Sequence, residues 1–235
     1  MRKVIGLLIF LSALIVTNLS ADEMFQAVDP KDATLVKTDS SKEFCNVCGM
    51  HLTKFYKTSH ATEFKNGHKE QYCSLHCQAQ IEEDHADKIK NIQVVDTNSL
   101  KFIDAKNAIY VVGSSKPGTM TPVSKYAFST KEEAVKFQKE FGGEIHTFDE
   151  SLDMAKKALI KENNAIDEKR VPMAIKGKKA FETMCDTKQT KDFNSVGEAK
   201  QYLIDNNVCK NLNPQMMQAV AIYLYNPALA SDKSK

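Results

Sequence analysis

The pattern of apolar and polar positions divides the chain into a part with short strands and a part that is helical. Residues 42–150 contain short β-branched and aromatic runs separated by helix-forming segments, and this pattern occurs twice. Each time a methionine-bearing loop is followed by a strand, a helix and a strand. We therefore predict an α+β domain made of two similar halves, about 42–98 and 99–150.

Turn and capping residues mark the boundaries of these elements. Asn66-Gly67 is a hairpin turn signal, and a helix is predicted to run from near Cys73 to about Asp84. In the second half, Thr130-Lys-Glu-Glu133 matches a capping box that opens a helix, and Gly142-Gly143 ends it.

The segments on either side of this domain have a different composition. Residues 22–41 are polar and predict a tether, whereas residues 151–161 predict a helix and the charged residues 162–170 a linker. Residues 171–227 predict a small all-α domain, and 228–235 a disordered tail. In the all-α domain, a capping box at Ser195-Val-Gly-Glu198 marks the start of one helix and Asn213-Pro214 marks the start of another.

The first 21 residues resemble a signal peptide. Arg2 and Lys3 precede an apolar run, Val4–Val16, that is shorter than the ~20 residues of a membrane span. Cleavage after Ala21 predicts a periplasmic protein, with an uncleaved membrane anchor as the alternative. Asp22 stands where a lipoprotein would have cysteine, so no lipid is expected; membrane association of the mature chain stays open.

The charge balance excludes several classes of partner. The formal charge is +2 and becomes 0 without residues 1–21, since that segment carries two cations and no acid. A net charge near zero predicts that the protein does not bind nucleic acid or an anionic membrane surface through electrostatic attraction. The sequence also has no paired catalytic carboxylates, Ser/His/Asp arrangement or phosphate-binding glycine loop, so we predict that the protein is not an enzyme.

Four of the six cysteines form two tight pairs with metal-ligand spacing. The first is Cys45-Asn-Val-Cys48-Gly49-Met50, and the second is Cys73-Ser-Leu-His76-Cys77. A turn brings the first two thiols together, and one helical turn does the same for the second two. Two such pairs can supply the four donors of a tetrahedral ion.

Two metals compete for these ligands. Zn(II) would take four thiolates in a closed structural site, whereas Cu(I) accepts two or three soft donors, including the thioethers of Met50 and Met120. Met120 lies in a loop of glycine, proline and threonine, an unusual place for a core side chain. His76 is a candidate further donor or a solvated helix residue.

Disulfide chemistry is the other explanation of the cysteine pairs. Cys45 and Cys48 could be a redox pair of a thiol–disulfide oxidoreductase, and Cys73 and Cys77 could form structural disulfides with them. A redox pair of the thioredoxin type needs a βαβ context, which the predicted hairpin after Met50 does not provide. We therefore favour a metal site.

The motifs between residues 45 and 150 resemble those of the NosL family, which are copper chaperones for the assembly of nitrous oxide reductase. The matching pieces are Cys-x-x-Cys-Gly-Met at 45–50, the run 104–114 followed by Met120, and 127–143 from Ala127-Phe128 to Phe141-Gly142-Gly143. The resemblance implies two ββαβ-type halves. It also implies that the copper donors are Cys48, Met50 and Met120.

From this resemblance we expect an exported Cu(I) metallochaperone. Its implied partners are an apo-copper enzyme, or the maturation machinery of nitrous oxide reductase and its accessory transporter. Cys45 and the pair Cys73 and Cys77 would be auxiliary donors. That second pair is absent from many relatives and is similar to TRASH-type metal domains, so a structural zinc-binding, protein-interaction module is the alternative function.

The carboxy-terminal part resembles a degenerate c-type cytochrome. The run 177–185 is similar to the start of such a domain and 216–225 to its last helix. Haem attachment needs Cys-x-x-Cys-His, but the chain has Cys185-Asp-Thr-Lys188, so no haem is expected. We expect a disulfide bond between Cys185 and Cys209, the two remaining cysteines.

Overall fold

Two small antiparallel sheets form the framework of the amino-terminal part. The computed structural model describes residues 24–186 and 191–231. The first sheet has the strand order β2-β1-β3-β4, and the second has the order β6-β5-β7. The strands are β1 (His60–Phe64), β2 (Lys69–Tyr72), β3 (Ile89–Val95), β4 (Phe102–Asp104), β5 (Ile109–Val112), β6 (Lys125–Phe128) and β7 (Glu144–Thr147).

A helix lies between the second and third strands of each half. These helices are α1 (Leu75–His85) and α2 (Lys131–Phe141), so both halves follow the order ββαβ, and the predicted α+β fold is confirmed. One strand differs from the prediction. β4, expected to begin the second half, pairs instead with β3 and extends the first sheet, because β3 has a free edge that can accept it.

Thr130 and Gly142 start and end α2 as predicted, and Ser74, which was not predicted as a cap, starts α1. Ser74 and Thr130 are the N-caps, and their side chains accept hydrogen bonds from the backbone N–H groups of Cys77 and Glu133. Gly142 ends α2 with a positive φ of 73°, a conformation that glycine adopts without steric cost. Local chemistry therefore fixes where α1 begins, and with it the position of Cys77.

A long helix replaces the predicted helix and linker. α3 runs from Phe148 to Met184 over 37 residues and contains the charged segment 162–170. Glu, Lys and Arg are good helix formers, so a charged stretch continues a helix when one face is covered. Here α3 packs against α1 at one end and against the last helix at the other. The prediction of a linker was wrong.

The carboxy-terminal part consists of the end of α3 with α4 (Val196–Asp205) and α5 (Pro214–Tyr225). We call α4 and α5, with the end of α3 on which they pack, the helical extension. Its core is separate from those of the two sheets. Cys185 and Cys209 are joined by the expected disulfide bond.

The segment predicted as a tether is packed onto the second sheet. The ring of Phe25 lies 5.3 Å from that of Tyr126 and 6.1 Å from that of Phe137. Buried Gln26 donates a hydrogen bond to the carbonyl of Pro117 over 3.0 Å. The ring of Phe25 thus attaches the polar segment to the second sheet and its helix, and residues 24–41 are not a free tether.

The predictions for the two ends of the chain are tested only in part. Pro227–Ala230 form a 3-10 turn with Ala230 buried, which corrects the start of the predicted disordered tail. The proposed signal peptide and residues 232–235 lie outside the described residues. Among the described residues, no helix is both long and apolar enough to cross a membrane.

A buried histidine connects the two sheets. His60 on β1 is fully buried, and its Nε2 lies 2.9 Å from the hydroxyl of Tyr110 on β5. Its Nδ1 is 3.1 Å from the carbonyl oxygen of Thr58. Burial lowers the pKa of His60 to about 3, so the ring is neutral in the folded protein at neutral pH.

This histidine is expected to make the fold acid-sensitive. Between pH 6.5 and about 3 the unfolded chain binds a proton at His60 that the folded protein does not, so stability is lost as the pH falls. From pH 7 to pH 5 this contribution is about 2 kcal/mol. Urea unfolding at both pH values should show that the wild type loses about 2 kcal/mol more than His60→Gln; equal losses would contradict the assignment.

Candidate metal centre

The Cys-x-x-Cys-Gly-Met segment forms a tight loop that turns its first two thiols to the same side. The backbone N–H of Gly49 donates to the carbonyl of Cys45 over 2.9 Å, and the N–H of Cys45 donates to the carbonyl of Met50, also over 2.9 Å. Gly49 has a φ of 71°. This left-handed conformation is disfavoured for residues with a Cβ, which gives the glycine of this motif a structural reason.

The second cysteine pair lies at the start of α1. Cys73 follows β2 directly, and Cys77 lies in the first helical turn, where its N–H is capped by Ser74. Their Sγ atoms are 3.8 Å apart. The hydroxyl of Thr58 donates to the carbonyl of Cys73 over 2.8 Å, which fixes the backbone next to this thiol.

The fold brings the two pairs together into one cluster. The Sγ atoms of Cys45, Cys48, Cys73 and Cys77 all lie within 4.8 Å of one another, and those of Cys48 and Cys73 are 3.4 Å apart. In a tetrahedral site with metal–sulfur bonds of about 2.3 Å, the sulfur atoms are about 3.8 Å apart. We call these four residues the cysteine cluster; its size fits a single four-coordinate ion.

The environment of the cysteine cluster favours thiolate chemistry at one member. Burial opposes ionisation of Cys45, but hydrogen bonds from the neighbouring thiols outweigh it and hold the pKa of Cys45 well below its usual range. For Cys73, burial and the same neighbours raise the pKa of the thiol well above its usual range. The neighbouring sulfur atoms therefore favour the thiolate at Cys45 and the protonated thiol at Cys73.

Met50 and Met120 lie beside the cysteine cluster, on the side of Cys48. Both are partly buried and pack against it. Met120 has a φ of 68°, an uncommon conformation for a residue with a side chain, and such conformations concentrate at functional sites. Both methionines and Cys48 line a pocket of about 800 Å³. The other three cysteines of the cluster, Cys45, Cys73 and Cys77, do not line this pocket.

His76 is not brought into the cluster. Its Nδ1 lies 2.7 Å from a carboxylate oxygen of Glu162, and its Nε2 lies 3.1 Å from the side-chain oxygen of Asn163. Both partners belong to the segment of α3 that the sequence predicted as a linker. Because the helix continues there, it occupies both ring nitrogens, and the expectation of His76 as a further donor is corrected.

The helical extension covers the loop of residues 45–50, which we call the metal loop. The sequence did not predict this contact. Gln218 of α5 donates to the carbonyl of Cys48 over 2.9 Å, and Lys200 of α4 donates to that of Gly49 over 3.1 Å. Lys200 also donates to the side-chain oxygen of Gln218 over 2.8 Å. Burial lowers the pKa of Lys200 to about 8. A lysine among the apolar positions of α4 was the available signal for this contact.

Val196, the first residue of α4, also lies against the loop. A Cβ added at Gly49 would be 2.5 Å from Cγ1 of Val196. The absence of a side chain at this position therefore serves two purposes: it permits the turn of the loop, and it lets α4 approach the backbone between Cys48 and Met50.

Comparison with known proteins identifies the family. The sequence matches the NosL family over residues 36–155, just over half of the chain. The chain belongs to the NosL family. The NosL match includes both sheets and the cysteine cluster but ends within α3, so the helical extension lies outside it.

A solved structure provides a second comparison. The crystal structure of the copper chaperone NosL from Shewanella denitrificans is 24% identical, covers 53% of this chain and 95% of that chain, and has a TM-score of 0.42. No curated protein matches this chain. Membership of the NosL family agrees with the predicted non-enzymatic role.

Proposed function

We propose that this NosL-family protein is an exported metallochaperone that binds Cu(I) through Cys48, Met50 and Met120 and releases it to an acceptor protein. One observation carries the proposal. Of the cysteine cluster, Cys48 alone is found among the residues that line the pocket, and it shares that wall with both methionines. A metal held there has thiolate and thioether donors on one side and open space on the other.

The donor set suits a monovalent soft ion that must leave again. Cu(I) is satisfied by two or three soft ligands, so an incoming ligand from an acceptor can add before a resident ligand departs. A thioether needs no deprotonation and cannot form a disulfide, which preserves two donors under oxidising conditions. Cys45, Cys73 and Cys77 lie behind Cys48 as auxiliary donors.

The sequence supports the acceptor and the compartment that we propose. Its resemblance to the NosL family supports nitrous oxide reductase, or the accessory transporter that serves its maturation, as the recipient of copper. The signal-peptide pattern of residues 1–21 supports a periplasmic location.

A structural zinc site is the second candidate, and the cysteine cluster itself favours it. Four buried sulfur atoms within 4.8 Å of one another match the closed tetrathiolate coordination of Zn(II). Zinc in this site would link the metal loop to α1 and stabilise the fold. It would also engage Cys48 fully, leaving the methionines without a thiolate partner. Thiol–disulfide exchange has less support, because all four thiols are buried.

The two candidates predict different results for Met50→Leu combined with Met120→Leu. Leucine keeps the volume and removes the sulfur, so the fold should be retained. Under the copper proposal, the Cu(I) dissociation constant should rise about 100-fold, equivalent to ~2.7 kcal/mol. Competition with a chromophoric Cu(I) chelator under anaerobic, reducing conditions measures this change.

The matched control is Met154→Leu, since Met154 is exposed on α3 and is not a pocket-lining residue. It should bind Cu(I) like the wild type. One zinc and no copper in protein isolated from the periplasm, together with unchanged Cu(I) affinity in the double variant, would overturn the copper proposal in favour of zinc.

A further inference from the structure

The pocket beside Cys48 is lined by methionines from two separate parts of the chain. Met50 and Met120 belong to the NosL-like part, whereas Met173 on α3 and Met217 on α5 line the pocket from the helical extension. Four of the nine methionines of the chain therefore line this one space. The family match covers only the first two.

We propose that Met173 and Met217 form a second Cu(I) site made of thioethers beside the first, through which copper passes between Cys48 and the protein surface. This inference rests on the proposed function of the Cys48 site. It assigns a metal-transfer role to the helical extension.

The hydrogen bonds of the helical extension support this placement. Gln218 donates to the carbonyl of Cys48, so Met217, its neighbour in sequence, is held close to the metal loop. The bond from Lys200 to the carbonyl of Gly49 fixes α4 to the same loop. The extension is therefore attached at the copper-binding motif itself.

Methionine is also a common filler of apolar gaps, and Met173 and Met217 do contact the extension core. A methionine side chain that only fills space, however, is expected to lie in a closed gap of the core. These four side chains are among those that line a pocket of about 800 Å³, and each is only partly buried. Their chemistry is that of soft, neutral donors, which select Cu(I) among biological cations.

The charge of the pocket predicts that this second site is weaker than the first. Thioethers do not neutralise the charge of Cu(I), and the basic side chains of Lys54, Lys169 and Arg170 also line the pocket. Their groups are wholly or partly exposed, so solvent and salt screen their repulsion. Cys48, by contrast, offers a thiolate. Weak binding next to a stronger site is the property that a transfer site needs.

The test compares the wild type and a double variant that carries both Met173→Leu and Met217→Leu. The probe is Cu(I) itself, titrated anaerobically against a chromophoric chelator, followed by stopped-flow measurement of transfer to excess chelator. The wild type should bind a second, weaker equivalent of Cu(I). The double variant should lose that equivalent, keep the first within about threefold, and transfer copper about tenfold more slowly.

Met216→Leu is the matched control. Met216 precedes Met217 on α5 and also packs on the extension core, but it does not line the pocket. This variant should behave like the wild type in stoichiometry and rate. X-ray absorption of the wild type with two equivalents should show only sulfur neighbours around copper, with fewer sulfur neighbours in the double variant.

The outcomes separate this inference from the proposed function. One tight equivalent in all three proteins, with equal transfer rates, would overturn the thioether site and leave the Cys48 site standing. Failure of the wild type to bind even the first equivalent would instead overturn the proposed function, and the inference with it.

Discussion

The double substitution Cys73→Ser with Cys77→Ser is expected to abolish four-thiolate binding of an ion such as Zn(II) at the cysteine cluster and to lower the free energy of unfolding by about 4 kcal/mol or more. Both thiols are fully buried. A buried hydroxyl without a partner costs about 1–3 kcal/mol, and any metal bound at the cluster adds its own folding energy, which would also be lost. Urea unfolding and elemental analysis measure the two effects.

The control removes two cysteines elsewhere. Cys185→Ser with Cys209→Ser breaks the disulfide of the helical extension, which closes a loop of 24 residues in sequence separation. It should cost about 3 kcal/mol but leave the metal content unchanged. Wild-type zinc content in the Cys73→Ser, Cys77→Ser variant would show that these two residues are not zinc ligands.

The second large effect is expected from Gly177→Ala, which should detach α5 from α3. A Cβ at position 177 would lie 2.0 Å from the carbonyl oxygen of Ala219 and 2.4 Å from its carbon. These are backbone atoms that cannot rotate away, so the helices must move apart. We expect a loss of about 3 kcal/mol, at the upper end of the usual cost of overpacking.

The sign of this effect is the test. In a helix interior, Gly→Ala normally stabilises by about 0.5–1 kcal/mol, so destabilisation can come only from the tertiary contact. Hydrogen exchange should localise the loss to α5. Ile160→Ala, at an 81% exposed position of the same helix, should change stability by less than about 0.5 kcal/mol. A Gly177→Ala protein as stable as the wild type would contradict the close contact.

Some features of the fold could be predicted because they depend on neighbours in sequence. The side chains of Ser195 and Asn213 cap their helices by accepting hydrogen bonds from the backbone N–H groups three positions later. Such bonds can be predicted from the residue types and their spacing. The repeated strand and helix pattern gave the two halves for the same reason. The cysteine spacing indicated a metal site, and the motifs indicated the NosL family.

Other features could not be predicted because they depend on how distant segments pack. The charge-rich residues 162–170 predict a linker by their composition, since a helix with few apolar positions is stable only if a neighbour covers one face. α1 provides that neighbour, and the resulting helix then engages His76. The same limit applies to Phe25, whose docking point on the second sheet is about 100 residues away in sequence.

The sequence by itself determined the donor chemistry of this protein: two thiol pairs, thioethers beside them and local turns that hold each pair together. Only the tertiary structure decided that both pairs form one cluster, that Cys48 is the member on the pocket wall, and that the helical extension supplies two further methionines to the same pocket. The physical reason is the distance in sequence between the residues that make each contact. Spacing fixes contacts within one or two turns of the backbone, whereas contacts between residues such as Cys48 and Gln218 exist only when whole helices and sheets have packed.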